Sequence, residues 1–223
     1  MRSTERGALL FKAVIFDFDG TLVDSLCGIA LAMNAALRDF GLLEHSVQSY
    51  KTRVGEGVRV LAQKAIPATW GGSIEALIGK YREHYRLLMW ESIRLYEGIS
   101  ALLEQLQAFE IPMAVLSNKG DEFIQPLSKA LLAPWRFVDI RGERAGMPRK
   151  PDPSSALDMA QRLHVKPEET VFVGDTAVDM QTAHAAQMKA IGVSWGFGRE
   201  KKLYEVGASF VLNAPLQLLS LRG

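Results

Sequence analysis

Four short runs, Ala13–Phe16, Met113–Leu116, Thr170–Val173 and Ala190–Ser194, are apolar at almost every position instead of alternating with polar residues. A strand with one wet face alternates, so runs of this kind belong to strands covered on both faces, as in a parallel sheet. Between them lie helical spacings. Ile99, Leu102, Leu103 and Leu106 fall at i, i+3, i+4, i+7, and Ala156, Leu157, Ala160 and Leu163 form a similar stripe. Asp152 before Pro153 reads as a helix N-cap with proline in the first turn, and Pro112 reads as a helix stop. Strand and helix therefore alternate, which predicts an α/β fold with a Rossmann-like parallel sheet.

From Leu26 to about Tyr96 no strand-like run occurs, while helical periodicity continues through Ile29–Leu37, Val58–Ala65 and Ile74–Leu88. This predicts a helical block, residues 25–96, inserted into a core built from residues 8–24 and 97–223. At 223 residues, with 48% apolar side chains, the chain can bury a core without staples, and its composition excludes a disordered or low-complexity protein. Lys and Arg number 26 against 25 Asp and Glu, with the signs interspersed. No polybasic face points to nucleic acid or an anionic membrane, which favours a small ligand. Cys27 is the sole cysteine, so an intrachain disulfide and a cysteine zinc site are excluded. With a polar start, MRSTERG, unlike a signal peptide or a membrane span, a cytoplasmic protein is expected. The segment Trp195–Lys202, charged and glycine-containing, reads as a solvated loop or helix start.

The chemistry gathers at strand ends. Asp17 and Asp19 directly follow the first run in DFDGT, where open parallel sheets place their ligand crevice, and Gly20 supplies freedom to turn. Acids abutting a buried strand pay a desolvation cost unless they have a partner. An EF-hand is excluded, because the glycine comes too early and the terminal glutamate is missing. A second set, Asp175 and Asp179 in GDTAVD, follows another apolar run. If the sheet joins the two sets, Asp17 and Asp175 form a hard-oxygen site suited to Mg²⁺, with Asp179 behind it or acting as a first-turn helix acid. Ser117 and Asn118 end a third strand and Lys150 precedes a later helix, offering hydroxyl, amide and ammonium groups for phosphate oxygens.

The motifs DFDGT, LSN, RKPDP and GDTAVD, in this order across nearly the whole chain, resemble the haloacid dehalogenase superfamily of phosphotransferases, and most of all its phosphoglycolate phosphatase-like members. The resemblance implies a Mg²⁺-dependent phosphomonoester hydrolase acting on a small phosphorylated metabolite through an aspartyl phosphate. It implies Asp17 as nucleophile, Asp19 as general acid and base, and Ser117, Asn118 and Lys150 as the phosphate-binding set. Asp17, the Asp19 backbone carbonyl and Asp175 would hold the metal, with Thr21 and Asp179 supporting, and the helical block would be a cap. One departure is Gln187, where relatives often carry glycine. A hexose-phosphate mutase could use the same motifs, although Thr21 stands where mutases of this superfamily more often carry valine. A sugar-phosphate phosphatase is the other alternative. A dehalogenase needs neither Asp19 nor Asp175, and a non-catalytic scaffold would be expected to lose a motif acid or Lys150.

Within the helical block, Arg53, Gly55 and Arg59 form a candidate substrate-specificity loop, since glycines admit close backbone approach and arginine grips carboxylates. The pair Gly55 and Gly57 follows no strand, so it is not a dinucleotide fingerprint. The four histidines match no compact ligand pattern and the four tryptophans no base-stacking pattern, so both sets read as structural.

Overall fold

The computed structural model describes residues 9–221. The segment MRSTERG and the outer limits of the expected core, residues 8 and 223, lie outside the described residues. The first part of the chain runs β1 (Ala13–Phe16), β2 (Val23–Asp24), α1 (Leu26–Asp39), α2 (Val58–Ala65), α3 (Ile74–Leu88) and β3 (Arg94–Leu95). There follow α4 (Ile99–Ala108), β4 (Met113–Gly120), α5 (Asp121–Leu131), β5 (Asp139–Glu143) and α6 (Ser154–Arg162). The last part is β6 (Thr170–Gly174), α7 (Ala177–Ala185), β7 (Lys189–Val193), α8 (Glu200–Glu205) and β8 (Phe210–Leu212).

Six strands form one parallel sheet in the order β5-β4-β1-β6-β7-β8. The reason β1 lacks alternation is visible in its packing. Val14 and Phe16 enter one apolar cluster, Ala13 and Ile15 the cluster on the opposite face, and all four are buried. Each large side chain buried this way contributes about 1.5–3 kcal/mol. After β1 the chain builds one side of the sheet through β4 and β5, then crosses to the other through β6, β7 and β8. That reversal makes β1 the switch point, and the crevice beyond its C-terminal end is where such sheets receive ligands.

The helical block leaves and rejoins the core through a two-stranded antiparallel ribbon, with Val23 opposite Leu95 and Asp24 opposite Arg94. Inside it α1 packs on α3. Buried Asn34 ties the following loop down, donating to His45 O at 2.8 Å and accepting from the His45 amide at 3.0 Å and from the Tyr50 hydroxyl at 2.5 Å. Two other histidines have structural partners: His84 pairs with Asp39 and His184 meets Gly207 O. Local signals also behave as their chemistry requires. The Asp152 carboxylate accepts the Ser154 amide at 2.9 Å, while Pro153 already has helical dihedrals. Gln187 sits at φ 58°, a left-handed turn that costs about 1 kcal/mol relative to glycine. Among the described residues no helix is long and apolar enough to cross a membrane.

Candidate active site

Parallel pairing of Phe16 with Val173 sets the ends of β1 and β6 side by side, so Asp17 and Asp175 emerge together. Asp179, in the first turn of α7, completes a group in which one oxygen from each carboxylate lies within 4.8 Å of the others. All three acids are buried. Facing them is the ammonium of Lys150, 2.8 Å from Asp17 Oδ1 and 2.6 Å from Asp179 Oδ1. Burial pushes the Asp17 carboxyl up to about 7, against the pull of Lys150 and with a further push from Asp179. Asp175 is driven well above the carboxylate range, first by burial and then by Asp179 and Asp17. For Lys150, burial pulls the value down, but the charges of Asp17 and Asp179 outweigh it and hold the ammonium above its ordinary value.

Three carboxylates against one ammonium leave a deficit of two positive charges in a buried space. The donors are hard oxygens, so the set fits a divalent cation that prefers carboxylates. The surrounding contacts aim it. Thr21 Oγ1 donates to Asp175 Oδ1 at 3.1 Å, and the Phe197 amide donates to Asp175 Oδ2 at 2.7 Å. The Asp179 oxygens are otherwise engaged, Oδ1 by Lys150 and Oδ2 by the Thr176 amide at 2.9 Å and hydroxyl at 2.6 Å. That suits a supporting position better than direct ligation.

Two glycines allow the close packing. At Gly20, φ +84°, a Cβ would fall 2.3 Å from Asp175 Oδ2, and at Gly196 it would fall 2.2 Å from Gly20 O. The second contact corrects the expectation for Trp195–Lys202. The start of that segment is an inner wall of the acidic site, with Phe197 buried and Trp195 Nε1 donating to Thr21 O at 3.0 Å; only from Glu200 does it become the surface helix α8. Its glycines and charges suggested solvent, whereas the glycines serve contact with Asp175.

Ser117 is buried within β4, just past Leu116, where the regular register with β5 breaks, and it borders the cleft. Asn118 also lines the cleft, and its Nδ2 protons go to Gly55 O at 3.1 Å and Lys150 O at 3.0 Å. It ties the helical block to the Lys150 loop. Lys119, which the motif reading passed over, is almost fully buried. Its ammonium reaches both Asp19 oxygens at 3.0 and 3.1 Å and the Tyr85 hydroxyl at 2.6 Å. Only its place one residue beyond Ser117-Asn118 could have marked it. Asp19 thus directs its carboxylate to Lys119 and is not one of the three acids whose oxygens gather.

The cleft over these groups has a volume of about 310 Å³ and takes walls from both parts of the chain, with Asp17, Ser117 and Lys119 below and Gly55, Arg59 and Tyr81 above. Arg53, the other arginine of the candidate substrate-specificity loop, is not among the lining residues. Its guanidinium donates to Ser49 O at 2.6 Å and Lys64 O at 3.1 Å, holding the loop's own backbone. Arg59 does line the cleft, paired with Glu75.

The haloacid dehalogenase-like hydrolase family matches residues 14–193, a span that contains every one of these acids and both lysines. The chain belongs to this family of hydrolases. It is 32% identical to a phosphoglycolate phosphatase of Chromobacterium violaceum over 94% of this chain and 96% of that one. A Haemophilus influenzae phosphoglycolate phosphatase is 29% identical over 95% and 98%. A haloacid dehalogenase-like hydrolase structure from Streptococcus pneumoniae superposes with a TM-score of 0.84 at 25% identity, covering 94% of this chain and 97% of that one. The family assignment agrees with the parallel sheet and with the resemblance carried by the four motifs.

Proposed function

We propose that this haloacid dehalogenase-like enzyme is a Mg²⁺-dependent phosphatase of small phosphorylated metabolites, with 2-phosphoglycolate as its leading substrate. The observation that carries the chemistry is the buried Asp17, paired with Lys150 beside two further carboxylates and open to a cleft of metabolite size. The choice of substrate rests on the names of the relatives. Residues 25–96 act as a cap over the cleft. The single Cys27 fits a reducing, cytoplasmic setting.

Asp17, Asp175 and the Asp19 backbone carbonyl would hold Mg²⁺. Bound there, the ion supplies charge neutralisation for phosphoryl oxygens that otherwise repel a carboxylate. Lys150 and the Ser117 hydroxyl hold the same oxygens. An Asp17 oxygen attacks phosphorus in line, the bond from phosphorus to the ester oxygen breaks, and Asp19 gives its proton to the departing alkoxide. Asp19, now a carboxylate, takes a proton from a water that attacks the aspartyl phosphate, releasing phosphate and regenerating Asp17. The cap keeps bulk water out during the first half and admits one water in the second.

The test is phosphate release from 2-phosphoglycolate, sugar phosphates and p-nitrophenyl phosphate, with Mg²⁺ and with EDTA. Metal-dependent release that favours 2-phosphoglycolate is expected. Interconversion of sugar phosphates without release would replace the reading with a mutase, and full activity in EDTA would remove the metal from it.

A further inference from the structure

The motif acids account for Asp17, Asp175 and Asp179, but nothing in them explains why a buried lysine should grip Asp19. Lys119 Nζ contacts both oxygens of that carboxylate, at 3.0 and 3.1 Å, and its remaining contact is the Tyr85 hydroxyl at 2.6 Å. The ammonium also lies 4.5 Å from the centre of the Tyr85 ring. Its three protons therefore have acceptors within the protein, unlike the half-exposed Arg59 at the cleft wall. Tyr85 belongs to α3 of the helical block and is fully buried, stacked on Tyr81 at 5.4 Å and edge-on to Phe123 of α5 at 5.0 Å. It is thus a point at which the block touches the core through the residue that grips Asp19.

We propose that Lys119 and Tyr85 are positioning residues that seat the Asp19 carboxylate for proton transfer, making its orientation depend on α3 of the helical block being docked against the core. The inference rests on the phosphatase reading above, in which Asp19 is the proton donor. The aspartate is attached to a loop and has 15% of its side chain exposed, so without the lysine it has rotamer freedom. A fork formed by one ammonium on two oxygens removes that freedom, and the tyrosine hydroxyl and ring fix the ammonium in turn. The Lys119 ammonium, although at the cleft wall, is bonded to Asp19 and Tyr85 and to none of the clustered acids, so its effect passes through Asp19.

Proton transfer matters for an alkyl leaving group and little for p-nitrophenolate, which departs as a stable anion. Tyr85→Phe, which keeps the ring, and Lys119→Met should therefore lower kcat on 2-phosphoglycolate about 10- to 100-fold, the scale of a misplaced catalytic group. In Tyr85→Phe, the single-turnover burst of p-nitrophenolate, which needs no proton from Asp19, should stay within about threefold of wild type, as should KM on 2-phosphoglycolate. Steady-state turnover of either ester should fall, because Asp19 also activates the water that hydrolyses the aspartyl phosphate. Lys119→Arg, which retains a cationic fork, should recover part of the loss. Thermal melts establish that each variant is folded. A p-nitrophenolate burst slowed as much as turnover of 2-phosphoglycolate, a raised KM with kcat preserved, or no loss in either variant would overturn the positioning role while leaving wild-type phosphatase activity in place. A wild type that releases phosphate from neither ester would instead overturn the phosphatase reading, and this inference with it.

Discussion

Lys150 and Asp17 form an ion pair at 2.8 Å in which neither side chain has more than 7% of its surface exposed. Removing one member of such a pair is more damaging than its net contribution suggests, because the other charge remains buried and unpaired. Here Asp179 is left uncompensated as well.

Lys150→Ala should accordingly lower stability by about 3–5 kcal/mol, the usual cost of stranding a buried charge. Phosphate release should fall below detection in the same variant. Denaturant titrations with and without Mg²⁺ check this, and Mg²⁺ should recover part of the stability without recovering turnover. Unchanged stability would mean that the acids are relieved by another group.

Asp17→Asn should behave in the opposite sense. It removes one of three crowded carboxylates while preserving shape, so the metal-free protein should melt at the wild-type temperature or above. Turnover should drop by about 10³-fold or more, as expected when a nucleophile is lost. A folded variant that keeps substantial phosphatase activity would reject Asp17 as the attacking group.

The raised carboxyls also fix the sign of a pH effect. Asp17 titrates near 7 in the folded protein against 3.8 as its ordinary value, and Asp175 is displaced in the same direction. Between those values the folded state binds more protons than the unfolded state, so stability supplied by Asp17 is present below about pH 4 and is lost as pH rises through about 7. Mg²⁺ bound at these acids would compete with those protons. Its stabilisation, read as the difference between melts in Mg²⁺ and in EDTA, should be larger at pH 8 than at pH 5. Equal differences at the two pH values would show that the ion does not replace protons at these acids.

Gly196→Ala tests the close approach of the C-terminal loop. Its Cβ would meet Gly20 O at 2.2 Å and Asp175 Cβ at 2.5 Å, both on backbone or a short side chain that cannot swing away. A loss of about 1–3 kcal/mol is expected from overpacking. Calorimetric titration should also show weaker Mg²⁺ binding, because Asp175 is displaced.

Arg59 and Arg53 should separate by readout. Arg59→Ala, at the cleft wall, should lower kcat/KM for 2-phosphoglycolate more than for p-nitrophenyl phosphate. Arg53→Ala should instead lower the melting temperature, since its guanidinium holds Ser49 O and Lys64 O. The reverse pattern would return Arg53 to the substrate.

The buried strands and the helices α2 and α3 were legible because periodicity reports which faces are covered, and the acids were legible because a charge directly after an apolar strand needs a partner. Lys119 and Phe197 were not. A lysine after a strand looks like any solvated surface residue, and the role of Phe197 lies in its amide, which side-chain identity does not encode. Arg53 is ambiguous in the sequence for a related reason: guanidinium chemistry suits a substrate carboxylate and a backbone carbonyl equally well, and in the fold it holds Ser49 O and Lys64 O.

The central place of β1 has a consequence for how the molecule is made. Of the six strands in the sheet, the one synthesised first is also the one flanked by β4 and β6, the latter paired from Ala13 to Thr170. Through most of synthesis the run Ala13–Phe16 therefore has at least one open edge and no complete cover, the condition that invites sticking to other chains. A copy truncated before β6 would be a sticky intermediate for chaperones and proteases to handle, and it would also lack Asp175 and Asp179, two of the three acids of the proposed metal site.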